Sequence, residues 1–425
     1  MEKVPICLVG CGGMGHRHVM GYKELKDSGI GNLDLVAVCD IRQENAELVA
    51  NEAEQLLGRK PMVFTDLDQV LAHPNIAAVD VVTDGSTHHE IGTPALEAGK
   101  HTMVEKPLAI TIRACQAMIS AAQRSGAVLA TAENYRRDTP NRLVRAIIDE
   151  GLLGDPYLMI QTSLGGGDTM AITPWRHLKE KGAIGLDMGV HYADIIRYYM
   201  GEYSQIFGRG LIVEPVRRKP DHADHPLISY RERAKSYPEA VEATGEDSVI
   251  ALYTMESGAI VQLSYVGGGR GSQGWERSVH GRWGAVYAPG DRNGNPVVLR
   301  LEGRELKGKE ILALLPQFEL NEITERLFGK GGVEYEPPAD TAIAAFVVDA
   351  KHLAIEYHDF GEAILNRTSP EVDGDGGMKA VAAIVGAYES ALAERSVSME
   401  SVLSGEVRQY QADIDVALGL DTSEN

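Results

Sequence analysis

The sequence predicts an α/β protein: an N-terminal Rossmann domain and a C-terminal α/β domain with a large, mostly antiparallel open sheet. Three observations carry this expectation. Residues 4–15, Val-Pro-Ile-Cys-Leu-Val-Gly-Cys-Gly-Gly-Met-Gly, set a short apolar strand directly before Gly10-x-Gly12-x-x-Gly15. Strand and helix patterns alternate up to about residue 132, which implies right-handed crossovers and a parallel sheet. Beyond residue 150, strand patterns follow one another with few helices between them. At 425 residues the chain exceeds one ordinary core, so two domains are expected, 1–133 and 134–425.

The glycine motif explains itself physically. Gly10 makes the tight turn, Gly12 lets backbone approach a pyrophosphate, and Gly15 lets helix pack on strand. The following helix, expected over 13–27, offers unpaired N–H groups and a positive dipole end to the anion. Gly10, Gly12, Gly13, Met14 and Gly15 are therefore the expected phosphate cradle. A second buried strand over 35–40 ends in Asp40. A carboxylate there can accept hydrogen bonds from both adenine-ribose hydroxyls and repels a 2′-phosphate, so NAD is expected over NADP. Asp40 as a cap for the next helix, and Arg42 as a softening charge, are the competing readings.

A helix over 45–57, a strand over 62–64, a helix over 66–72 and a strand over 78–83 come next. Loops beyond the carboxyl ends of parallel strands line the ligand crevice. That places Thr83 and His88 as cofactor candidates, with loop and cap residues as the plainer reading. A strand over 102–104 leads into Glu105-Lys106-Pro107, where Glu105 and Lys106 are expected at the cofactor and Lys106 could also hold a substrate hydroxyl. A strand over 127–132 closes the domain before Asn134 and Arg136, which are expected at cofactor and substrate.

In the second domain Asp187 and His191 are spaced i, i+4, on one face of a helix. Such a carboxylate would hold the imidazole's tautomer and favour its charged form, which suits a general base. Trp175-Arg176 in a loop could touch cofactor or serve as an anchor. Gly165-Gly166-Gly167 and the glycines at 267–271 read as turns. Asp221-His222-Ala223-Asp224-His225 has no second cluster, so no metal is expected.

Composition narrows the classes further. The formal charge of −20, from 41 basic and 61 acidic residues, argues against nucleic acid and anionic membranes as partners. No apolar run reaches the ~20 residues of a membrane helix. The first strand begins too early for a signal peptide to precede it. Cys7, Cys11, Cys39 and Cys115 show no zinc spacing, and Cys7 and Cys39 are expected as buried thiols in a reducing cytoplasm.

Several of these segments resemble the glucose–fructose oxidoreductase / inositol dehydrogenase / MocA family. The resemblance rests on the glycine motif, Asp40, Ala95-Leu96-Glu97-Ala98-Gly99-Lys100-His101, Glu105-Lys106-Pro107-Leu108, Gly151-Leu152-Leu153-Gly154 and Trp175-Arg176. The run from Gly185 to Asp194 and Ala387-Tyr388-Glu389-Ser390 complete it. It covers about residues 4–395. It implies an NAD-dependent oxidoreductase acting on a secondary alcohol of a sugar, glycoside or cyclitol. It also implies catalytic roles for Lys106, Asp187 and His191 in a site between the domains, and a cis Lys106–Pro107 bond. Two alternatives remain open: a redox-neutral glycoside-cleaving enzyme that oxidises C3 transiently, and a non-catalytic sugar or NAD sensor. Thr83-Asp84 departs from the family's Thr-Pro, 217–245 looks like an insertion, and the tail after 396 has no counterpart. A homodimer or homotetramer through one bare face of the second sheet is expected.

Overall fold

The computed structural model describes residues 2–221, 228–271, 273–336 and 341–420. They divide into two compact units. The first holds the chain up to residue 134 with stretches at 228–233 and 341–378; the second holds the remainder.

The first unit begins β1 (Val4–Val9), α1 (Gly13–Asp27), β2 (Leu33–Cys39), α2 (Gln43–Leu57), β3 (Met62–Phe64) and α3 (Leu67–Ala72). It continues β4 (Ala78–Val81), α4 (His88–Glu97), β5 (His101–Glu105), α5 (Ile112–Ser125) and β6 (Leu129–Ala132). The six strands are parallel in the order β3-β2-β1-β4-β5-β6, a doubly wound sheet with its switch point between β1 and β4. β1 reads as an apolar run rather than an alternation because a central parallel strand is covered on both faces; Ile6, Cys7 and Leu8 are fully buried. All four cysteines are buried free thiols.

The second unit opens with α6 (Thr139–Asp149), β7 (Pro156–Gly166), α7 (Ala183–Met200), β8 (Tyr203–Leu211) and β9 (Val216–Arg218). After α8 (Ile228–Ala234), most of which packs with the first unit, come β10 (Ala240–Glu242), β11 (Ser248–Met255), β12 (Ile260–Gly269), β13 (Gly274–Gly281) and β14 (Gly284–Tyr287). β15 (Val298–Leu301), β16 (Arg304–Lys307), α9 (Lys309–Leu312) and α10 (Glu322–Phe328) follow, then α11 (Thr341–Asn366), which belongs to the first unit, α12 (Gly374–Ala393), most of it in the second, and β17 (Val397–Ser398). Nine strands form one sheet, β16-β15-β14-β13-β7-β12-β11-β8-β17. Only β7 and β12 run parallel, so the sheet is mostly antiparallel as expected.

One sequence expectation changes. The glycine runs at 165–167 and 267–269 are not simple turns. Gly165 and Gly166 end β7, Gly267–Gly269 end β12, and the two ends pair at Gly166 and Gly269. A Cβ on Gly166 would lie 1.9 Å from the Gly267 carbonyl oxygen, so the glycines permit a backbone approach no other residue allows. The tail after 396 is fixed: β17 adds a strand beside β8, and the Tyr410 N–H donates to Glu389 Oε2 at 3.0 Å.

Part of the chain beyond residue 134 belongs with the first unit. Helix α11, late in sequence, packs against α1 in the first unit. Gly21 makes room, since a Cβ there would lie 2.7 Å from Leu353 Cβ. A buried polar cluster fastens the two helices to the sheet. His18 Nδ1 lies 2.9 Å from Asp80 Oδ2, and its Nε2 lies 3.2 Å from Glu105 Oε1. The hydroxyls of Tyr22 and Tyr357 donate to the same Asp80 oxygen at 3.0 and 2.8 Å, and their rings stack at 4.0 Å. Burial alone would push the His18 imidazole down, but Asp80 and then Glu105 raise it to about 10.

His18 is therefore charged in the folded protein and unpaired when unfolded. Its stabilisation is complete below its unfolded pKa of about 6.5 and is lost as pH rises through about 10. We predict that His18→Leu, which leaves two buried carboxylates without their cation, costs about 3–5 kcal/mol near pH 6.5. The gap to the wild type, measured as the shift in urea midpoint, should shrink at pH 10. A gap that is constant between these pH values would contradict a charged His18.

Candidate active site

The first unit presents the glycine turn at the carboxyl end of β1. Gly10 has φ +105°, and a Cβ there would lie 2.6 Å from the Val82 carbonyl oxygen. A Cβ on Gly15 would lie 2.5 Å from the Gly10 carbonyl oxygen. Both positions must therefore be glycine for α1 to start where it does. No side chain caps the N-terminus of α1 and no acidic residue stands in its first turn. The positive end of the helix is left for an external anion. Asp40 ties the turn to β2: its Oδ2 accepts from the Cys11 N–H and its Oδ1 from the Arg42 N–H, both at 2.8 Å. It does not cap α2, whose N-cap is Arg42. Burial and then Asp40 push the Cys11 thiol well up, so it stays protonated. These residues fit a dinucleotide diphosphate with its adenine ribose toward Asp40.

The remaining candidates of this unit divide by what their side chains touch. Thr83 Oγ1 accepts from the Thr87 hydroxyl at 2.8 Å, and Asp84 Oδ1 accepts from the Ser86 N–H at 3.2 Å. Asp84, in place of the family's proline, thus shapes the loop. His88 is buried, with Nδ1 2.8 Å from the Pro107 oxygen and Nε2 3.4 Å from the Thr83 oxygen. Burial pushes its imidazole down, which keeps it neutral. Its ring thereby links the loop after β4 to the loop after β5. Glu105 is held by His18, and the Lys106–Pro107 bond is cis. Met14 Sδ accepts from Arg17 Nη1 at 3.1 Å. Asn134 Nδ2 donates to Asp349 Oδ1 at 3.3 Å, an oxygen pair that also receives Arg17.

In the second unit, α7 carries Asp187 and His191 one turn apart, both buried. The Arg176 Nε donates to Asp187 Oδ2 at 2.9 Å, its Nη1 to Thr173 Oγ1 at 2.9 Å, and its guanidinium lies 4.3 Å from the Trp175 ring centroid. Trp175-Arg176 is thereby an anchor that fixes the carboxylate. His191 stacks on Tyr135, ring centroids 4.0 Å apart and 6° from parallel. The Arg292 guanidinium stands 5.2 Å from the same ring and Nη2 donates to the Tyr135 hydroxyl at 3.2 Å. Tyr192, the next residue on α7, contacts the Tyr265 and Trp275 rings. Imidazole and carboxylate are each held by a planar neighbour, which removes rotamer freedom before any ligand arrives.

Arg136 makes a two-pronged pair with Asp194, Nε to Oδ2 at 2.7 Å and Nη2 to Oδ1, with both residues buried. Tyr135 and Arg292 were missed. Tyr135 stood beside two residues singled out in the sequence, yet nothing in the pattern announces ring stacking. Arg292 is over 150 residues away in a turn, at φ +62°. The cluster Asp221–His225 falls, from residue 222 on, outside the described residues; among the described residues no group of three or more histidine, cysteine or acidic side chains could hold a metal.

A doubly wound sheet with a diphosphate cradle, joined in one chain to a sheet domain bearing a fixed imidazole, defines a dinucleotide-binding oxidoreductase architecture. The chain belongs to the GFO/IDH/MocA family: residues 4–133 match the oxidoreductase family's NAD-binding Rossmann fold, and 141–287 match the GFO/IDH/MocA C-terminal domain. It is 33% identical over 211 residues to levoglucosan dehydrogenase of Pseudarthrobacter phenanthrenivorans, covering 48% of this chain and 53% of that one. It is 28% identical over 209 residues to myo-inositol 2-dehydrogenase of Thermotoga maritima, covering 49% and 58%. The chain thus spans little more than half the length of these curated relatives. Its fold matches a levoglucosan dehydrogenase solved with NADH and levoglucosan (TM-score 0.71, 22% identity, 94% and 99% of the two chains). An oxidoreductase domain protein from Kribbella flavida is similar in fold (TM-score 0.75, 20% identity, 94% and 100%). No helix among the described residues is long and apolar enough to cross a membrane.

Because Arg136 is committed to Asp194, Arg136→Met should lower stability by about 3 kcal/mol, the typical loss when one partner of a buried pair is removed. NADH affinity should be unchanged. An unshifted melting temperature combined with a raised KM would return Arg136 to the substrate.

Proposed function

We propose that the protein is an NAD-dependent dehydrogenase for a secondary alcohol of a sugar, glycoside or cyclitol. The observation that carries the reading is the buried pair on α7: a histidine stacked on Tyr135 and a carboxylate fixed by Arg176, in a chain whose other unit holds the diphosphate cradle. Relatives named for levoglucosan, inositol and apiose, all polyhydroxylated, support the substrate class. The bound nicotinamide supplies the hydride acceptor. His191 takes the hydroxyl proton as hydride leaves the same carbon, and the Lys106 ammonium hydrogen-bonds that oxygen as it becomes a carbonyl. Asp187, itself held by Arg176, keeps His191 in the accepting tautomer.

The assembly proposed is a homodimer or homotetramer through the nine-stranded sheet. One face of that sheet is covered by α12, where the Tyr253 hydroxyl donates to the Ala383 oxygen at 3.2 Å. The other exposes Phe207, Ile250, Leu252 and Ile260, with Phe207 and Leu252 directly paired. Apolar side chains grouped this way favour a second copy as cover. Four buried free thiols suit a reducing compartment, and the cytoplasm is the proposed location.

The test is a panel of sugars, glycosides and inositols with NAD⁺ and NADP⁺, read by absorbance of the reduced cofactor. NAD⁺ should be preferred by about tenfold or more, since a 2′-phosphate would face Asp40. Asp40→Ala should narrow that gap. His191→Ala should keep NADH affinity and lose about 10²–10⁴ in rate. Near wild-type turnover of His191→Ala at saturating substrate would remove it as the base. Aglycone release from a glycoside without net NADH would replace the dehydrogenase by the redox-neutral reading.

A further inference from the structure

The insertion at 217–245 has a fixed base. β9 and β10 pair across it, and the buried Arg217 guanidinium binds Asp247 Oδ2 at 2.7 Å and the Gly167 oxygen at 2.8 Å. Asp247 also accepts from the Val213 and Glu214 N–H groups, so both ends of the excursion are pinned. What the excursion delivers is α8, and α8 lies on the glycine cradle. A Cβ on Gly12 would stand 2.8 Å from Arg233 Nη1, and one on Gly13 would stand 3.0 Å from Tyr230 Cζ.

We propose that α8 is a clamp for the bound dinucleotide, in which Arg233 pairs with the diphosphate and Tyr230 walls the cradle beside it. The inference rests on the NAD reading of the first unit. Its physical ground is placement. The uncapped N-terminus of α1 is the positive end of a helix dipole, and the Arg233 guanidinium lies over the same turn. A diphosphate seated in the cradle would meet both. Guanidinium suits that anion, because its planar fork of donors matches phosphate oxygens. The local sequence agrees: Tyr230-Arg231-Glu232-Arg233-Ala234-Lys235 carries three cations against one carboxylate, within a chain of net charge −20. Arg233 is exposed, so its substitution leaves the core untouched.

The test is binding without turnover. NADH is titrated by nicotinamide fluorescence, and ADP-ribose and adenosine by calorimetry, on the full chain. Arg233→Gln should weaken NADH and ADP-ribose alike by about tenfold to a hundredfold, the worth of a charge-assisted hydrogen bond. Adenosine, which lacks the diphosphate, should bind as before, and Arg233→Lys should recover part of the loss. The salt dependence of ADP-ribose binding should also flatten in Arg233→Gln, because one phosphate-facing cation is gone. Equal or tighter ADP-ribose binding by Arg233→Gln would overturn the proposal and make α8 a bystander or a plug. A wild-type chain that binds neither NADH nor ADP-ribose would instead overturn the NAD reading beneath it.

Discussion

The first unit depends on one close approach. Helix α1 begins so near to β1 that a methyl group on Gly15 would sit 2.5 Å from the Gly10 carbonyl oxygen. That approach aims the uncapped first turn of α1 at the mouth of the sheet. It brings Cys11 within reach of Asp40, and it sets His18, one turn further along, against Asp80 and Glu105. The diphosphate cradle and the buried charge cluster are thus two consequences of the same helix placement. The cluster also explains why a helix more than 300 residues later in sequence belongs to this unit: Tyr357 completes the hydrogen bonding of Asp80.

Much of this unit was legible in advance. Local rules set the strand run 4–9, the glycine spacing and the alternation of elements, and those rules survive folding. The partners of buried charges were not legible. His18 reads as an ordinary residue on a helix, and only the fold reveals that Asp80 and Glu105 face it. The same holds for Arg136, whose carboxylate partner Asp194 lies 58 residues away.

The second unit shows the limit from the other side. Its long strands were anticipated where apolar and polar residues alternate, as in β11 and β12. β8, with two glycines and an arginine, gave no such alternation, and the glycine ends of β7 and β12 read as turns. The helix carrying Asp187 and His191 was anticipated with their spacing, but not the planar groups that hold them. Tyr135 and Arg176 reach α7 from separate segments, so no local window contains the arrangement. The insertion was visible as a departure in composition, and its use only as the placement of Arg233 against Gly12.

The account as a whole stands on hydride passing between a nicotinamide and a carbinol carbon of a polyol. The most direct measurement uses NADH deuterated at nicotinamide C4, incubated with the enzyme and a set of keto-inositols and keto-pyranosides, with products analysed by mass spectrometry. The account predicts deuterium on the newly formed carbinol carbon of at least one polyol, with matching loss from the cofactor. Tight NADH binding with no label reaching any of these products would contradict it.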